Sequence, residues 1–94
     1  MNLPKSTLFD PGHVVATDKV LEVLSTEDMF QALDRHLKAD WGDLDQDDKR
    51  ANEHALIQDE GRLVSCYHSV GGVRFYIITE ADRSVTTFML PEEY

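Results

Sequence analysis

A single cysteine, Cys66, among 94 residues denies the chain any internal disulfide. Apolar runs extend for only a few residues, too short to cross a bilayer. Positive charge is scarce as well: nine Lys and Arg stand against 18 Asp and Glu, for a net charge of −9. Affinity for a phosphate backbone depends on Lys and Arg displacing counterions, so direct nucleic-acid binding is disfavoured and a basic partner favoured. The opening stretch MNLPKSTLFDPGHV holds one lysine and no apolar leader core, so no signal peptide is expected. With disulfides also missing, the expectation is a cytoplasmic protein. No repeat, linker or low-complexity tract divides the chain, and residues 1–94 read as one domain.

Residues 1–12, with Pro4, Pro11 and Gly12, form an irregular lead-in. HVVAT (13–17) is β-branched and predicts a strand. Thr17 or Asp18 then caps a short helix carrying Val20, Leu21 and Leu24. Ser25, with Asp28 three residues on, starts a second helix, whose stripe of Met29, Phe30, Leu33 and Leu37 has helical spacing. It ends near Asp40, where Trp41-Gly42 turns the chain. Asp43 followed by Gln46 predicts the cap of a third helix, with Leu44, Ala51 and Ala55 on one face and Gly61 as its stop.

From Arg62 the period changes to two, and RLVSCYHSV, VRFYIITE and SVTTFML predict three strands. A two-residue turn at Gly71-Gly72 opposes Val70 to Val73 and His68 to Phe75; a tight turn at Asp82-Arg83 opposes Ile77 to Phe88. This puts Val64, Cys66, Val70, Val73, Phe75, Ile77, Phe88 and Leu90 on the core face. The fold class is α+β: a short N-terminal strand and two to three helices packed on a C-terminal three-stranded antiparallel meander. The reverse face then carries Leu63, Ser65, Tyr67, Arg74, Tyr76, Ile78, Thr87 and Met89, too apolar for full solvation. Three covers are open for it: the N-terminal segment, a second protein or copy, or a cofactor or substrate.

Five aspartates crowd positions 40 to 48, and residues 40–60 hold eight acids and two bases. Carboxylates in a first helical turn are stabilised by the free N–H groups and the helix dipole, which explains most of the cluster. Asp43, Asp45 and Asp47 mimic the opening of a calcium loop. Asp48 then stands where the turn needs glycine and His54 where a glutamate is needed, so no metal is expected. His13, His36, His54, His68 and Cys66 lack the paired spacings of a zinc site. No nucleophile elbow or phosphate loop occurs, and Glu80 with Asp82 reads as a turn network; neither catalytic residues nor a cofactor are expected. Trp41 is either a plug at the core edge or an exposed anchor.

The stretches KADWGDLDQDDKRANEHAL, GRLVSCYH and YIITEADRSVTTFMLPEEY resemble a family of short uncharacterised acidic bacterial proteins carried on plasmids, phages and other mobile elements. The likeness runs from GHVVAT to the terminal PEEY and centres on W-G-D-L and I-T-E-A-D-R-S. It implies a mobile-element setting and no known reaction. Element order alone is also similar to the RelE/ParE toxins, which are basic where this chain is acidic.

The leading expectation is a small non-enzymatic binding protein, an inhibitor from a mobile element. Asp40, Asp43, Asp45, Asp47 and Asp48 would act as a nucleic-acid mimic toward the basic groove of a host defence or restriction complex, with Trp41 as anchor. One alternative is a homodimeric interaction module joined through Leu63, Tyr67, Arg74, Tyr76, Ile78 and Met89. The other is a small toxin or enzyme using Arg74, Arg83, Tyr67, Tyr76 and His68 on the open sheet face.

Overall fold

The computed structural model describes residues 7–94; residues 1–6 of the expected lead-in lie outside it. Strand β1 (His13–Ala16) leads into helices α1 (Asp18–Val23), α2 (Thr26–Leu37) and α3 (Gln46–Gln58). Strands β2 (Leu63–His68), β3 (Arg74–Thr79) and β4 (Val85–Met89) follow, then a 3-10 turn at Pro91–Glu93. The class is α+β, as the patterning indicates. The sheet has four strands in the order β1-β4-β3-β2, because β1 joins the meander parallel to β4 with Ala16 beside Phe88.

The helix starts follow from capping chemistry. Thr17 Oγ1 accepts the Val20 amide and Ser25 Oγ accepts the Asp28 amide, each satisfying a donor the first turn leaves free. The cap of α3 is Asp45 rather than Asp43: its Oδ1 accepts the Asp48 amide at 2.8 Å. Asp43 is occupied elsewhere, because its own amide donates to the Cys66 carbonyl and holds the chain extended along β2.

The β3–β4 register is the expected one, Ile77 opposite Phe88 and Thr79 opposite Thr86. The β2–β3 register differs by one residue. Ser69 donates to the Val73 carbonyl, so the loop is Val70-Gly71-Gly72, with Gly72 at φ +86°, and His68 faces Arg74. A slip of one residue exchanges the faces of a strand. Leu63, Ser65 and Tyr67 therefore lie buried beneath the helices, while Val64, Cys66 and His68 join Arg74, Tyr76, Ile78, Thr87 and Met89 on the reverse face.

The main core joins Val20 and Leu24 of the α1 segment and Ala32 of α2 to Tyr67, Phe75, Ile77, Phe88 and Leu90. Helix α2 is rotated from the expected stripe. Ala32, His36 and Leu37 are buried, Met29 and Leu33 flank them, and Phe30 points outward, 61% exposed. Leu21 of α1 is likewise exposed. A second cluster, Trp41, Ala55 and Leu63 with Phe9, Leu44 and Leu56, seats α3 beside β2.

Buried His36 explains the rotation. Thr86 donates its hydroxyl to the Pro11 carbonyl at 2.7 Å, so it accepts from Thr79 at 2.7 Å. Thr79 must then accept from His36 Nε2–H at 2.9 Å, which leaves Nδ1 to accept the Ser65 hydroxyl at 2.5 Å. Every link has a partner, and the ring is held neutral: burial pushes its pKa down to about 3.

Candidate functional site

The aspartate cluster does not act as one surface. Asp40 is clamped by Arg35 through Nε at 2.7 Å and Nη2 at 3.2 Å, and that guanidinium holds its carboxyl below the usual range. Arg35 also lies 4.7 Å over the Tyr67 ring, and Tyr67 donates its hydroxyl to the Asp40 carbonyl. Trp41 is only 3% exposed; it packs edge-on to His36 and donates Nε1–H to Glu53 at 2.9 Å. It is therefore a plug and not an exposed anchor.

Asp43 lies 2.7 Å from His68 Nδ1, and Asp45 serves as the α3 cap. Asp47 is 92% exposed beside Arg50, and Asp48 lines a groove of about 340 Å³ with Arg62, Tyr76 and Tyr94. Among the described residues no basic side chain lies within ion-pair distance of Asp45 or Asp48. No group of three or more His, Cys, Asp or Glu able to hold a metal occurs among the described residues either.

The expected reverse-face interface is also divided. Leu63 and Tyr67 are core residues, for the register reason given above, and Ile78 is 2% exposed. Arg74, Tyr76 and Met89 stay on that face. Part of it is flanked by the C-terminal turn, where Tyr94 meets Tyr76 edge to face at 5.5 Å. The lead-in runs over the opposite, helix-bearing side, where Phe9 meets His36 and Pro11 accepts from Thr86.

The toxin-like set does not converge. Tyr67 is in the core, and Arg83 is tied to the carbonyls of Ala55, Gly61, Glu80 and Ala81. The pair closest to a nucleophile and base, Ser65 with His36, is fully buried on both sides. Patterning missed that pair because the two residues are brought together only by tertiary packing.

Both sequence motifs serve the architecture. In W-G-D-L, Gly42 at φ +76° runs so close to β2 that an added Cβ would sit 2.0 Å from the Cys66 carbonyl oxygen. In I-T-E-A-D-R-S, Thr79 extends the His36 chain, Glu80 pairs with Arg62, Asp82 Oδ1 accepts from Ser84, and Arg83 binds the end of α3.

The two sheet edges differ sharply. At β2, Asn52 of α3 bonds both backbone groups of Val64, while Trp41 and Asp43 bond those of Cys66, so the edge is sealed. At β1, His13 and Thr17 donate inward to Ser84 and Phe88. Strand alternation therefore turns the amides and carbonyls of Val14 and Ala16 outward, where no strand lies beside them among the described residues. Natural sheets usually blunt such an edge with charge, proline or a bulge. This one instead borders a groove of about 330 Å³ lined by Val14, Leu21, Met29, Phe30, Leu33 and Phe88.

Among the described residues, no helix is long and apolar enough to cross a membrane. No protein-family model, curated protein or solved structure matches the chain. The mobile-element setting thus rests on the sequence motifs alone.

Proposed function

We propose that this chain is a non-enzymatic protein-interaction module that binds through the β1 edge and the groove between β1 and α2. One observation carries the reading. Of the nine large hydrophobic side chains left exposed among the described residues, Val14, Val15, Leu21, Val23 and Phe30 belong to the β1–α2 segment that forms the unsealed edge. A strand laid along β1 would gain backbone hydrogen bonds and cover apolar surface at once, the mode of β-strand addition. The test is photocrosslinking in the expressing cell, with a photoreactive phenylalanine analogue at Phe30 and a control at Ile57, exposed on α3. Protein adducts from position 30 and none from 57 support the reading; equal or no adducts reject it.

A second reading keeps the acidic expectation in reduced form. Asp45, Asp47 and Asp48 at the start of α3 would meet a basic surface of the kind that otherwise holds phosphates, as an inhibitor from a mobile element would. Among the described residues no cation lies within ion-pair distance of Asp45 or Asp48, and Asp47 is exposed, which favours it over the fuller set. Asp40 and Trp41 take no part.

A further inference from the structure

The occupant of the β1 edge follows from what the edge offers and where the charge lies. We infer that it is a second copy of this chain, paired antiparallel through β1 about a two-fold axis; this inference rests on the proposed binding edge.

Backbone geometry fixes the pairing. Only Val14 and Ala16 direct their amides and carbonyls outward, so these two must face each other across the junction. A register with Val15 opposite its own copy sets Val14 against the second copy's Ala16 and the reverse, which makes the contact self-complementary, as a two-fold interface requires. Such an axis is perpendicular to the sheet, so α1 and α2 of both copies lie on the same side. There Leu21 and Phe30 of each copy, 56% and 61% exposed alone, meet their counterparts across the axis. The two four-stranded sheets become one continuous sheet.

Charge selects the same occupant. None of the nine residues that line the groove is charged. Residues 40–60 carry −6 of the −9 net charge and lie beyond the opposite, β2 edge. A basic partner is drawn to that far pole, whereas β1 fits a neutral apolar surface. Pairing through β1 sets the two acidic poles at opposite ends of the joined sheet, several Debye lengths apart at physiological salt, where their repulsion is screened. Two four-residue edges with only the half-exposed Leu21 and Phe30 flanking them make a small contact, no larger than the roughly 1,000 Å² at which specific interfaces begin, which predicts a weak and reversible dimer.

Sedimentation velocity on the full chain tests this, from low to high micromolar concentration. The expected result is a shift to twice the chain mass that Phe30→Glu weakens at least tenfold, by placing like charges across the axis. Val14→Pro, which deletes an outward amide and no inward bond to β4, should weaken it comparably while the β4 ladder, read by amide exchange, persists. A monomer at every concentration overturns the proposal, as does a dimer that neither substitution affects. Adducts from position 30 that contain only other proteins overturn the second copy as occupant and leave the binding edge intact. No adducts at all remove both.

Discussion

Asn52 on α3 hydrogen-bonds both backbone groups of Val64: Nδ2 donates to the carbonyl at 2.6 Å and Oδ1 accepts the amide at 3.0 Å. A side-chain amide here takes the place a fifth strand would fill, and Asn52 is itself 4% exposed. Asparagine is required because one group must donate and accept in the geometry of a peptide. Asn52→Ala therefore leaves two backbone groups unpaired at a half-buried edge. The expected loss is about 2–4 kcal/mol by urea denaturation. Asn52→Asp, which offers only acceptors to the Val64 carbonyl, should not recover it above pH 6.

His36 predicts the acid limb of the stability curve. Its folded pKa of about 3 lies below its unfolded value of 6.5, so the unfolded chain binds the extra proton. The contribution is complete above pH 6.5 and is lost as pH falls from there toward 3. Across that window the slope attributable to His36 is about 1.4 kcal/mol per pH unit. Chemical denaturation at a series of pH values checks it, with His36→Gln expected to be less stable at pH 7 and to lose that slope.

Arg83 should act as the cation that α3 lacks. The last turn of α3 has no basic residue of its own, and Arg83 donates to the Ala55 carbonyl at 3.1 Å and the Gly61 carbonyl at 2.7 Å. Its backbone sits at φ +62°, which favours glycine. Arg83→Gly thus relaxes the backbone while deleting the carbonyl bonds, and a net loss of about 1–3 kcal/mol in thermal or urea unfolding is expected. A stabilised variant would show that backbone relief outweighs the carbonyl bonds and would contradict the prediction.

Gly42→Ala tests the close approach of the α2–α3 connector to β2. The new Cβ meets the Cys66 carbonyl oxygen and the Tyr67 ring, and the residue must also keep a positive φ. The connector must lift away from β2, so the expected loss is at least about 3 kcal/mol, with slow amides at Asp43 and Cys66 becoming fast.

The reduced acidic reading makes its own prediction. If a basic partner binds α3, Asp45→Asn with Asp47→Asn and Asp48→Asn should weaken association and flatten its salt dependence, measured by titration calorimetry at several ionic strengths. Unchanged affinity removes the acidic pole from the interface.

Much of the fold was legible because its local chemistry is unambiguous. Ser25 and the Asp82-Arg83 turn can each be placed from a few neighbouring residues, and the α1 cap is narrowed to Thr17 or Asp18, of which Thr17 serves. The errors share a different origin. LVSCYH offers an apolar set on either parity, so a loop longer by one residue, Val70-Gly71-Gly72, was enough to exchange Leu63 and Tyr67 with Val64 and Cys66. Phe30 looks like core by period, but α2 turns to bury His36, whose partners Ser65 and Thr79 are far away in sequence. Asp40 and Trp41 read as part of a surface cluster until Arg35 and Glu53 are brought beside them. Edge exposure at β1 is a property of strand order and has no local signature.

The unequal treatment of the two edges is the claim on which the binding reading stands, and amide hydrogen exchange measures it residue by residue. In Phe30→Glu at low concentration, Val64 and Cys66 should exchange slowly, Val14 and Ala16 fast, and His13, Val15 and Thr17, whose amides face β4, more slowly than Val14 and Ala16. Protection at Val14 and Ala16 equal to that at Val64 and Cys66 under these conditions would show that the β1 edge is already closed, and would contradict the account.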